Sequence, residues 1–272
     1  MPFLGFARNS SRWSMSQIQL LSLDFDGTLV RHWASPPYPD ELVQMLNQLR
    51  RSGVLLAINT GRTVRLVEEA LQVTGFPVRP DFALTSEREV FRWNGSTWED
   101  YGGWNSRCRE EHDTLFAECE SLLSEIEQYL ESTTAARLHY DENRFSGIVS
   151  NTSAEMDEIC RFIETKRLDF PDFAYQRNSV YLRFCHLAYH KGTALAELQR
   201  LVGLSSESTF AAGDNFNDLP MLNLSFAHFL ACPSNALEDV KTVVRNQGGF
   251  VASQESGFGI CEALRHFFPN LV

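Results

Sequence analysis

The chain has 272 residues, of which 43% are hydrophobic and 22% are charged, and its formal net charge at pH 7 is −11. This length can bury at least one full hydrophobic core and leaves room for two unequal domains. The negative charge argues against nucleic acid or an anionic membrane as a partner, because both bind basic protein surfaces.

Two further features of the composition bear on location. The six cysteines lie far apart without a CxxC pair, which is typical of reduced thiols in a cytosolic enzyme. No apolar run reaches the roughly 18 residues that a membrane span requires. We therefore expect a cytoplasmic protein. Residues 1–17 are expected to form a disordered tail or to reflect an upstream start before Met15, although Arg8, Arg12 and several serines also fit a transit peptide.

The first part of the chain alternates apolar runs with helical periodicity. In chain order the pattern predicts a strand over 18–25, a helix up to Gly53, a strand over 54–58, a helix up to Gly75 and a strand over 81–86. Strands that alternate with helices indicate parallel βαβ units in a sheet covered on both faces.

From about residue 87 the pattern changes to strand-like runs with helices between them. The pattern predicts a hairpin turning at Asn94-Gly95, a helix over 107–131, strands over 136–140 and 145–150, a helix over 154–168 and a strand over 179–186. Such a succession indicates an α+β module inserted into the parallel domain.

The βαβ pattern then resumes. It predicts a helix over 191–202, a strand over 208–213, a helix that begins at Asp218 and a strand over 227–231. We therefore predict an α/β fold in which 18–86 and 187–272 form a Rossmann-like parallel sheet with helices on both faces. Residues 87–186 form the inserted α+β domain.

Two carboxylates directly follow the first predicted strand. Side chains alternate along an extended chain, so Asp24 and Asp26 are expected to point to the same side. One carboxylate could attack phosphorus while the other transfers protons. The alternative is a turn rich in Asp that has no catalytic role.

A second polar segment, GDNFND, follows the predicted strand over 208–213. Asp214, Asn217 and Asp218 offer hard oxygen ligands of the kind that Mg²⁺ prefers. The alternative is a polar loop in which Asp218 only caps a helix.

Two shorter features complete the set. Thr60-Gly61-Arg62 follows the strand over 54–58, where a hydroxyl and free backbone N–H groups could cradle a phosphate. Lys191 opens the helix after the inserted module and could neutralise phosphate charge. A plain turn and a solvated lysine are the alternatives. Because ligands of parallel sheets bind at the carboxyl ends of the strands, all these residues are expected at one edge.

In this order and spacing, DFDGT, TGR, Lys191 and GDNFND resemble the four motifs of the haloacid-dehalogenase-like (HAD) phosphatase superfamily, over about residues 18–245. The insertion resembles a C2-type cap, and its β-rich pattern is similar to the Cof-like subgroup. LTSEREVF followed by Trp93, Trp98 and Trp104 resembles the sucrose-phosphate phosphatases and their bacterial relatives.

The resemblance implies a role for each motif. Asp24 would be the nucleophile and Asp26 the general acid/base. The implied Mg²⁺ would be held by Asp24, the backbone carbonyl of Asp26 and Asp214. Asp218 would act through a metal-bound water or on Lys191.

The remaining implied roles concern the phosphate. Thr60, with Gly61 and Arg62 in the same turn, would hold the transferred phosphoryl group, and Lys191 would offset its charge. Asn217 would support the metal loop.

The inserted domain is expected to select the leaving group. We predict that Glu87 and Arg88 contact a hydroxyl-rich leaving group, so that sugar phosphates are preferred. A solvated hinge at these two residues is the alternative. Several other polar residues of the insertion could meet a sugar or a second anion: Arg137, Tyr140, Arg144, Arg177 and Arg183.

The sequence therefore predicts a Mg²⁺-dependent phosphatase that acts on small-molecule phosphate monoesters through an aspartyl-phosphate intermediate. A phosphomutase of the same fold is one alternative, and a non-catalytic binding or regulatory protein is another. The TGR motif favours hydrolysis over the mutase, and a non-catalytic protein would be free to lose the aspartates. The oligomeric state is not predicted.

Overall fold

A computed structural model describes residues 18–141, 144–269 and 271. The predicted tail over residues 1–17 lies outside the described residues. The strands of the described part are β1 (Leu20–Leu23), β2 (Leu55–Asn59), β3 (Phe82–Thr85), β4 (Glu89–Trp93), β5 (Trp98–Asp100), β6 (Arg137–Asp141), β7 (Arg144–Val149), β8 (Phe173–Asn178), β9 (Tyr181–His186), β10 (Thr209–Ala212), β11 (Phe229–Cys232) and β12 (Phe250–Val251). The helices are α1 (Asp40–Arg51), α2 (Val64–Thr74), α3 (Trp104–Glu118), α4 (Glu120–Thr133), α5 (Ser153–Lys166), α6 (Lys191–Val202), α7 (Glu238–Asn246) and α8 (Ser256–Phe267).

The larger sheet has eight strands in the order β12-β11-β10-β1-β2-β3-β4-β5. The strands from β12 to β3 run parallel, and β4 and β5 add an antiparallel edge. Apolar residues of α1, α2 and α8 pack on one face, and those of α6 and α7 pack on the other. The prediction of an α/β sheet covered on both faces is confirmed.

A second, four-stranded antiparallel sheet has the order β6-β7-β9-β8. Together with α4 and α5 it encloses a separate hydrophobic cluster that includes Ile126, Ile159 and Phe184. We call β6–β9 with α4 and α5 the four-stranded unit. The hairpin of β4 and β5 belongs instead to the larger sheet, although the sequence analysis placed it after the boundary at residue 87.

Some predicted elements differ from the structure. The helix predicted over 107–131 is two helices that meet at Cys119. The helix predicted from Asp218 is only a 3-10 turn over Phe216–Asp218, because the Asp218 carboxylate binds the preceding backbone and Pro220 follows.

Four elements, β8, α7, β12 and α8, were not predicted from the sequence. In α8 the helical pattern is hidden by Gly257 and Gly259, which are poor helix formers. Each is needed for close packing, since an added Cβ would lie 2.7 Å from the Leu29 carbonyl oxygen at Gly257 and 2.3 Å from that of Gln254 at Gly259.

Two expectations about the whole chain can be compared with the described residues. None of their helices has the length and apolar character needed to cross a bilayer. All six cysteines are free thiols, and five of them are buried.

Candidate active site

The four predicted motifs meet at the carboxyl ends of the central strands. Leu23 of β1 pairs with Ala212 of β10 on one side and with Ile58 of β2 on the other. The next residue, Asp24, donates its backbone N–H to the Ala212 carbonyl at 2.9 Å. Thr60 likewise follows β2 and donates to the Leu84 carbonyl of β3 at 2.8 Å. The parallel register therefore brings all these loops to one edge of the sheet.

Lys191 lies at the centre of the site. Its side chain is fully buried, and Nζ lies 2.7 Å from Asp24 Oδ1, 2.6 Å from Asp218 Oδ1 and 3.9 Å from Glu87 Oε2. A buried cation is stabilised only when carboxylates and hydrogen bonds replace water. The three carboxylates around Lys191 meet that requirement.

The backbone that carries Lys191 is fixed by two neighbours. His190 caps α6, since its Nδ1 accepts from the N–H groups of Gly192 and Thr193 at 3.1 and 3.3 Å. Asn59, at the end of β2, donates from Nδ2 to the Lys191 carbonyl at 3.1 Å. Helix α6 therefore begins at a defined position against the sheet.

Three carboxylates form a group that could hold a metal ion. Within the described ranges, oxygens of Asp24, Asp214 and Asp218 all lie within 4.8 Å of one another. Asp214 Oδ1 accepts from Thr28 Oγ1 at 2.8 Å. Gly27 is required here, since it has a φ of 84° and an added Cβ would lie 2.6 Å from Asp214 Oδ2.

Asp218 differs from the other two aspartates because both of its oxygens are engaged by the protein. Oδ1 accepts from Lys191, and Oδ2 accepts from the backbone N–H groups of Asp214 and Asn215 at 2.8 and 2.9 Å. Gly213 leaves room for this, because a Cβ there would lie 2.3 Å from Asp218 Cγ. Asp218 therefore shapes the loop that presents Asp214.

Burial and mutual repulsion raise the pKa values of two of these carboxylates. Burial, and then the neighbouring aspartates, raise the pKa of Asp24 well above its usual value, although Lys191 opposes them. Burial and the charge of Asp218 raise the pKa of Asp214 to about 7. One lysine is therefore too little positive charge for this group of carboxylates.

The carboxylate of Asp26 lies outside that group and forms a separate ion pair. Arg62 contacts both of its oxygens, from Nε at 2.7 Å and from Nη2 at 2.8 Å, and His32 Nε2 also contacts Oδ1. Burial alone would raise the pKa of Asp26, but the hydrogen bonds and charge of Arg62 and His32 lower it. Asp26 is thus held as an ionised carboxylate.

The phosphate cradle predicted at 60–62 is tied to the loop after β3. The backbone N–H of Ser86 donates to the Arg62 carbonyl at 2.9 Å, and that of Glu87 donates to the Thr60 carbonyl at 3.2 Å. Gly61 is needed because a Cβ there would lie 2.5 Å from Glu87 Oε1. The Thr60 hydroxyl accepts from the Arg62 N–H at 3.2 Å.

Glu87 is not a solvated hinge residue, since only 7% of it is exposed. Its Oε1 accepts from Asn217 Nδ2 at 2.9 Å, whereas its buried Oε2 has no hydrogen-bond partner. Ser86 and Glu87 have φ values of 52° and 66°, a conformation that costs a non-glycine residue about 1–2 kcal/mol. This strained turn directs Glu87 toward Lys191 and Asn217.

A cavity of about 400 Å³ lies between the site and the four-stranded unit, and we call it the first cavity. On the side of the larger sheet, this cavity is lined by Asp26, Gly61 and Glu87. The opposite wall is formed by residues of the four-stranded unit: His139, Ile148, Val149, Gln176, Arg177, Asn178, Tyr181, Leu182 and Arg183. Arg88, which the sequence analysis grouped with Glu87, lines a different cavity.

Four residues that shape this site were not predicted to do so from the sequence. Thr28 could have been found, since it belongs to the DFDGT motif and carries a hydroxyl. Asn59 directly precedes the TGR motif and His190 directly precedes Lys191, but neither has a spacing that predicts its partner. His32 reaches Asp26 through a loop whose path no local pattern predicts.

Comparison with known proteins gives a family for the chain. A model of the sucrose-6F-phosphate phosphohydrolase family matches residues 17–268. A phosphoglycolate phosphatase from Thermoplasma volcanium is 24% identical over 92% of this chain and 98% of its own length.

Solved structures show the same fold. The sucrose-phosphatase from Synechocystis sp. PCC6803, determined with sucrose and phosphate, aligns with a TM-score of 0.67 and 18% identity, over 93% of this chain and 98% of its own. The HAD subclass IIB sugar phosphatase BT4131 aligns with a TM-score of 0.61 and 18% identity, over 92% and 99%. At these identities the likeness establishes the fold alone.

Proposed function

The chain belongs to the sucrose-6F-phosphate phosphohydrolase family, and we propose that it hydrolyses sugar phosphates with Mg²⁺ through an aspartyl-phosphate on Asp24. Family membership makes it a HAD-like phosphatase. The metal, the covalent intermediate and the preference for sugars are the proposal. The observation that carries it is the buried contact of Lys191 with Asp24 and Asp218, beside the carboxylate of Asp214.

The residues present fit a magnesium ion. The clustered carboxylates of Asp24, Asp214 and Asp218 have one lysine among them, and burial raises the pKa of Asp24 and Asp214; a divalent cation would add the positive charge that favours their ionised forms. Carboxylate oxygens are hard ligands, which Mg²⁺ prefers over nitrogen or sulfur. Asp24 and Asp214 would contact the ion, whereas both oxygens of Asp218 are already engaged. The backbone carbonyl of Asp26 is proposed as a further ligand.

In the first half of the proposed reaction, a carboxylate oxygen of Asp24 attacks phosphorus and the bond from phosphorus to the leaving oxygen breaks. Asp26 acts here in its protonated form and gives its proton to the leaving oxygen, so its ion pair with Arg62 and His32 must open for the carboxylate to take up that proton. Lys191 holds Asp24 Oδ1 in place for the attack and offsets the phosphoryl charge. Bound Mg²⁺ would stabilise the negative charge of the phosphoryl oxygens.

In the second half, water attacks phosphorus, Asp26 takes a proton from that water, and the bond to Asp24 breaks to release phosphate. The ionised form of Asp26, which Arg62 stabilises, is the form that this half requires. Thr60 and the backbone N–H of Gly61 are proposed to bind the phosphoryl oxygens throughout.

The preference for sugars is inferred from the first cavity. Its polar side chains can both donate to and accept from hydroxyl groups, as sugar recognition requires. The buried Oε2 of Glu87 faces Lys191 at 3.9 Å but accepts no hydrogen bond in the protein, so a leaving-group hydroxyl could donate to it. The structure of the Synechocystis relative holds sucrose and phosphate, which supports the same class of substrate here.

Phosphate release from a panel of monoesters, measured with Mg²⁺ and in EDTA, tests the proposal. The panel should contain sugar phosphates, nucleotides and p-nitrophenyl phosphate. We expect activity only with Mg²⁺ and the largest kcat/KM on a sugar phosphate. Full activity in EDTA would contradict the proposed metal site, and a preference for nucleotides would contradict the proposed substrate class.

A further inference from the structure

A second cavity, of about 440 Å³, lies beside the first. It extends between the loop after β3, helix α3 and the four-stranded unit. Four arginines line it, namely Arg88, Arg109, Arg144 and Arg183. This concentration is unusual in a chain with 24 basic and 35 acidic residues, and it indicates a site for negative charge.

Three of the four arginines already have carboxylate partners. Arg109 lies 3.3 Å from Glu89, Arg144 lies 2.7 Å from Asp113, and Arg183 lies 3.5 Å from Asp141. These acids line the same cavity, so the three pairs are close to neutral there. The charge that remains is that of Arg88.

Arg88 is half-buried, yet no carboxylate lies within 4 Å of it among the described residues. Its Nη1 donates to the Ser86 carbonyl at 3.3 Å, and its buried Nε has no acceptor. Leaving a buried guanidinium donor without an acceptor is costly, so arginines in such places are normally paired. The described residues therefore give the guanidinium a carbonyl and the Cys108 thiol as neighbours but no carboxylate that offsets its charge.

Arg183 lines both cavities, so they lie on either side of its side chain. Glu87 lines the first cavity and the next residue, Arg88, lines the second. The backbone of Arg88 is anchored, since Trp104 Nε1 donates to its carbonyl at 2.6 Å. A leaving group seated in the first cavity could therefore extend past Arg183 to Arg88.

We infer that the second cavity binds an anionic group, a carboxylate or a phosphate, carried by the leaving group of the substrate. This inference rests on the proposed function, because the first cavity must hold the leaving group. Arg88 would contact the anion with its planar guanidinium, which matches the geometry of such groups. The preferred substrates are then sugar phosphates that bear a second negative group.

A matched pair of ligands tests the inference. Glucuronic acid 1-phosphate differs from glucose 1-phosphate only by a carboxylate in place of a hydroxymethyl group. Binding of each to the chain in EDTA is measured by isothermal titration calorimetry, which needs no turnover. We expect the carboxylate to tighten binding by about tenfold or more, as a charged hydrogen bond can.

The variant Arg88→Gln should abolish that difference, and Arg92→Gln should keep it. Arg92 is a suitable control because it is exposed and contacts the Tyr101 ring outside the cavity. If Arg88→Gln does not fold, Arg88→Lys provides a second test, since it keeps the charge but loses the planar guanidinium and should reduce the difference. Equal affinities of the wild type for both ligands, or an unchanged ratio in Arg88→Gln, would overturn the inference.

Two further arms separate the remaining possibilities. If free glucuronate tightens the binding of glucose 1-phosphate as much as the attached carboxylate does, the anion is a separate ligand and the inference is wrong. Absence of turnover on every monoester with Mg²⁺ would refute the proposed function alone. The calorimetric ratio would still decide whether the second cavity binds an anion.

Discussion

Lys191 and Asp218 form a fully buried ion pair, with Nζ 2.6 Å from Oδ1 and both side chains at 0% exposure. The other oxygen of Asp218 holds the N–H groups of Asp214 and Asn215. The pair therefore joins the start of α6 to the loop after β10. The same lysine contacts Asp24, so one cation orders the proposed nucleophile and the proposed metal loop together.

Replacing this lysine should destabilise the chain. Lys191→Met leaves Asp24 and Asp218 buried without their cation, and breaking a buried pair in this way costs about 3–5 kcal/mol. We expect the free energy of unfolding, measured in urea without metal, to fall by that amount. Lys241→Met is the control, because Lys241 makes only a 3.8 Å contact with the exposed Glu238. A loss below about 1 kcal/mol in Lys191→Met would contradict a stabilising role.

Asp24→Asn should abolish turnover and leave the fold intact. The amide cannot form the covalent intermediate, while its oxygen can still accept from Lys191. Phosphate release from p-nitrophenyl phosphate measures the activity, and circular dichroism checks the fold. Retention of more than a few per cent of wild-type activity would rule out Asp24 as the nucleophile.

Asp214→Asn should remove the stabilisation that Mg²⁺ gives. Binding of the metal to the folded chain raises the melting temperature by an amount that grows with the logarithm of the ratio of metal concentration to Kd, and loss of a carboxylate ligand weakens that binding. We expect Mg²⁺ to raise the melting temperature of the wild type by several degrees and that of Asp214→Asn by about none. Asp113→Asn, in the second cavity, should respond as the wild type does. An equal response of Asp214→Asn would place the metal elsewhere.

His112 should make the fold sensitive to acid. Burial, and then the charge of Arg88, lower its pKa to about 3. The neutral ring is held by two hydrogen bonds, since Nδ1 contacts the Cys108 carbonyl at 2.7 Å and Nε2 accepts from the His186 N–H at 3.1 Å. Between pH 6.5 and 3 the unfolded chain binds a proton that the folded chain does not, so the contribution of His112 to stability falls as the pH falls.

The expected size is about 1 kcal/mol for each pH unit below 6.5. Urea unfolding at pH 7 and pH 5 should therefore show a larger loss in the wild type than in His112→Gln. His139→Gln, whose histidine is half-exposed, should lose as much as the wild type. The same loss in His112→Gln would show that His112 does not titrate in this way.

The fold and most of the site follow from local patterns in the sequence. Buried runs such as Leu20–Leu23 end at the polar motifs, and parallel pairing alone brings those ends together. Contacts between side chains that are distant in the sequence could not be predicted. The pairing of Asp26 with Arg62 and His32, and that of Glu87 with Asn217, depend on loop paths that have no periodicity.

The consecutive residues Glu87 and Arg88 show the same limit. Their position at the entry to the inserted domain led to the prediction that both contact the leaving group. In the structure Glu87 and Arg88 line different cavities. The chain turns at this point because Ser86 and Glu87 both adopt the left-handed conformation. A single residue, Glu87, is therefore the one to test for contact with the leaving group in the first cavity.

Glu87→Ala should reduce activity on sugar phosphates more than activity on p-nitrophenyl phosphate. The buried Oε2 accepts no hydrogen bond in the protein and is proposed to accept from a sugar hydroxyl, which an aryl leaving group does not offer. We expect kcat/KM on the best sugar phosphate to fall at least about tenfold further than kcat/KM on p-nitrophenyl phosphate. Glu99→Ala, in the β4–β5 hairpin, is the matched control and should change neither value.

A second substitution separates this contact from the support that Glu87 gives to the catalytic groups. Glu87→Gln keeps an oxygen for Asn217 Nδ2 but removes the negative charge that faces Lys191 at 3.9 Å. If Glu87 contacts the leaving group, Gln should retain part of the sugar preference, because its amide still forms a hydrogen bond with a hydroxyl. If Glu87 only positions Lys191 and Asn217, both variants lose activity equally on both substrates, since the phosphoryl group is common to them. That equal loss would assign Glu87 to the catalytic core and leave selection of the sugar to the four-stranded unit.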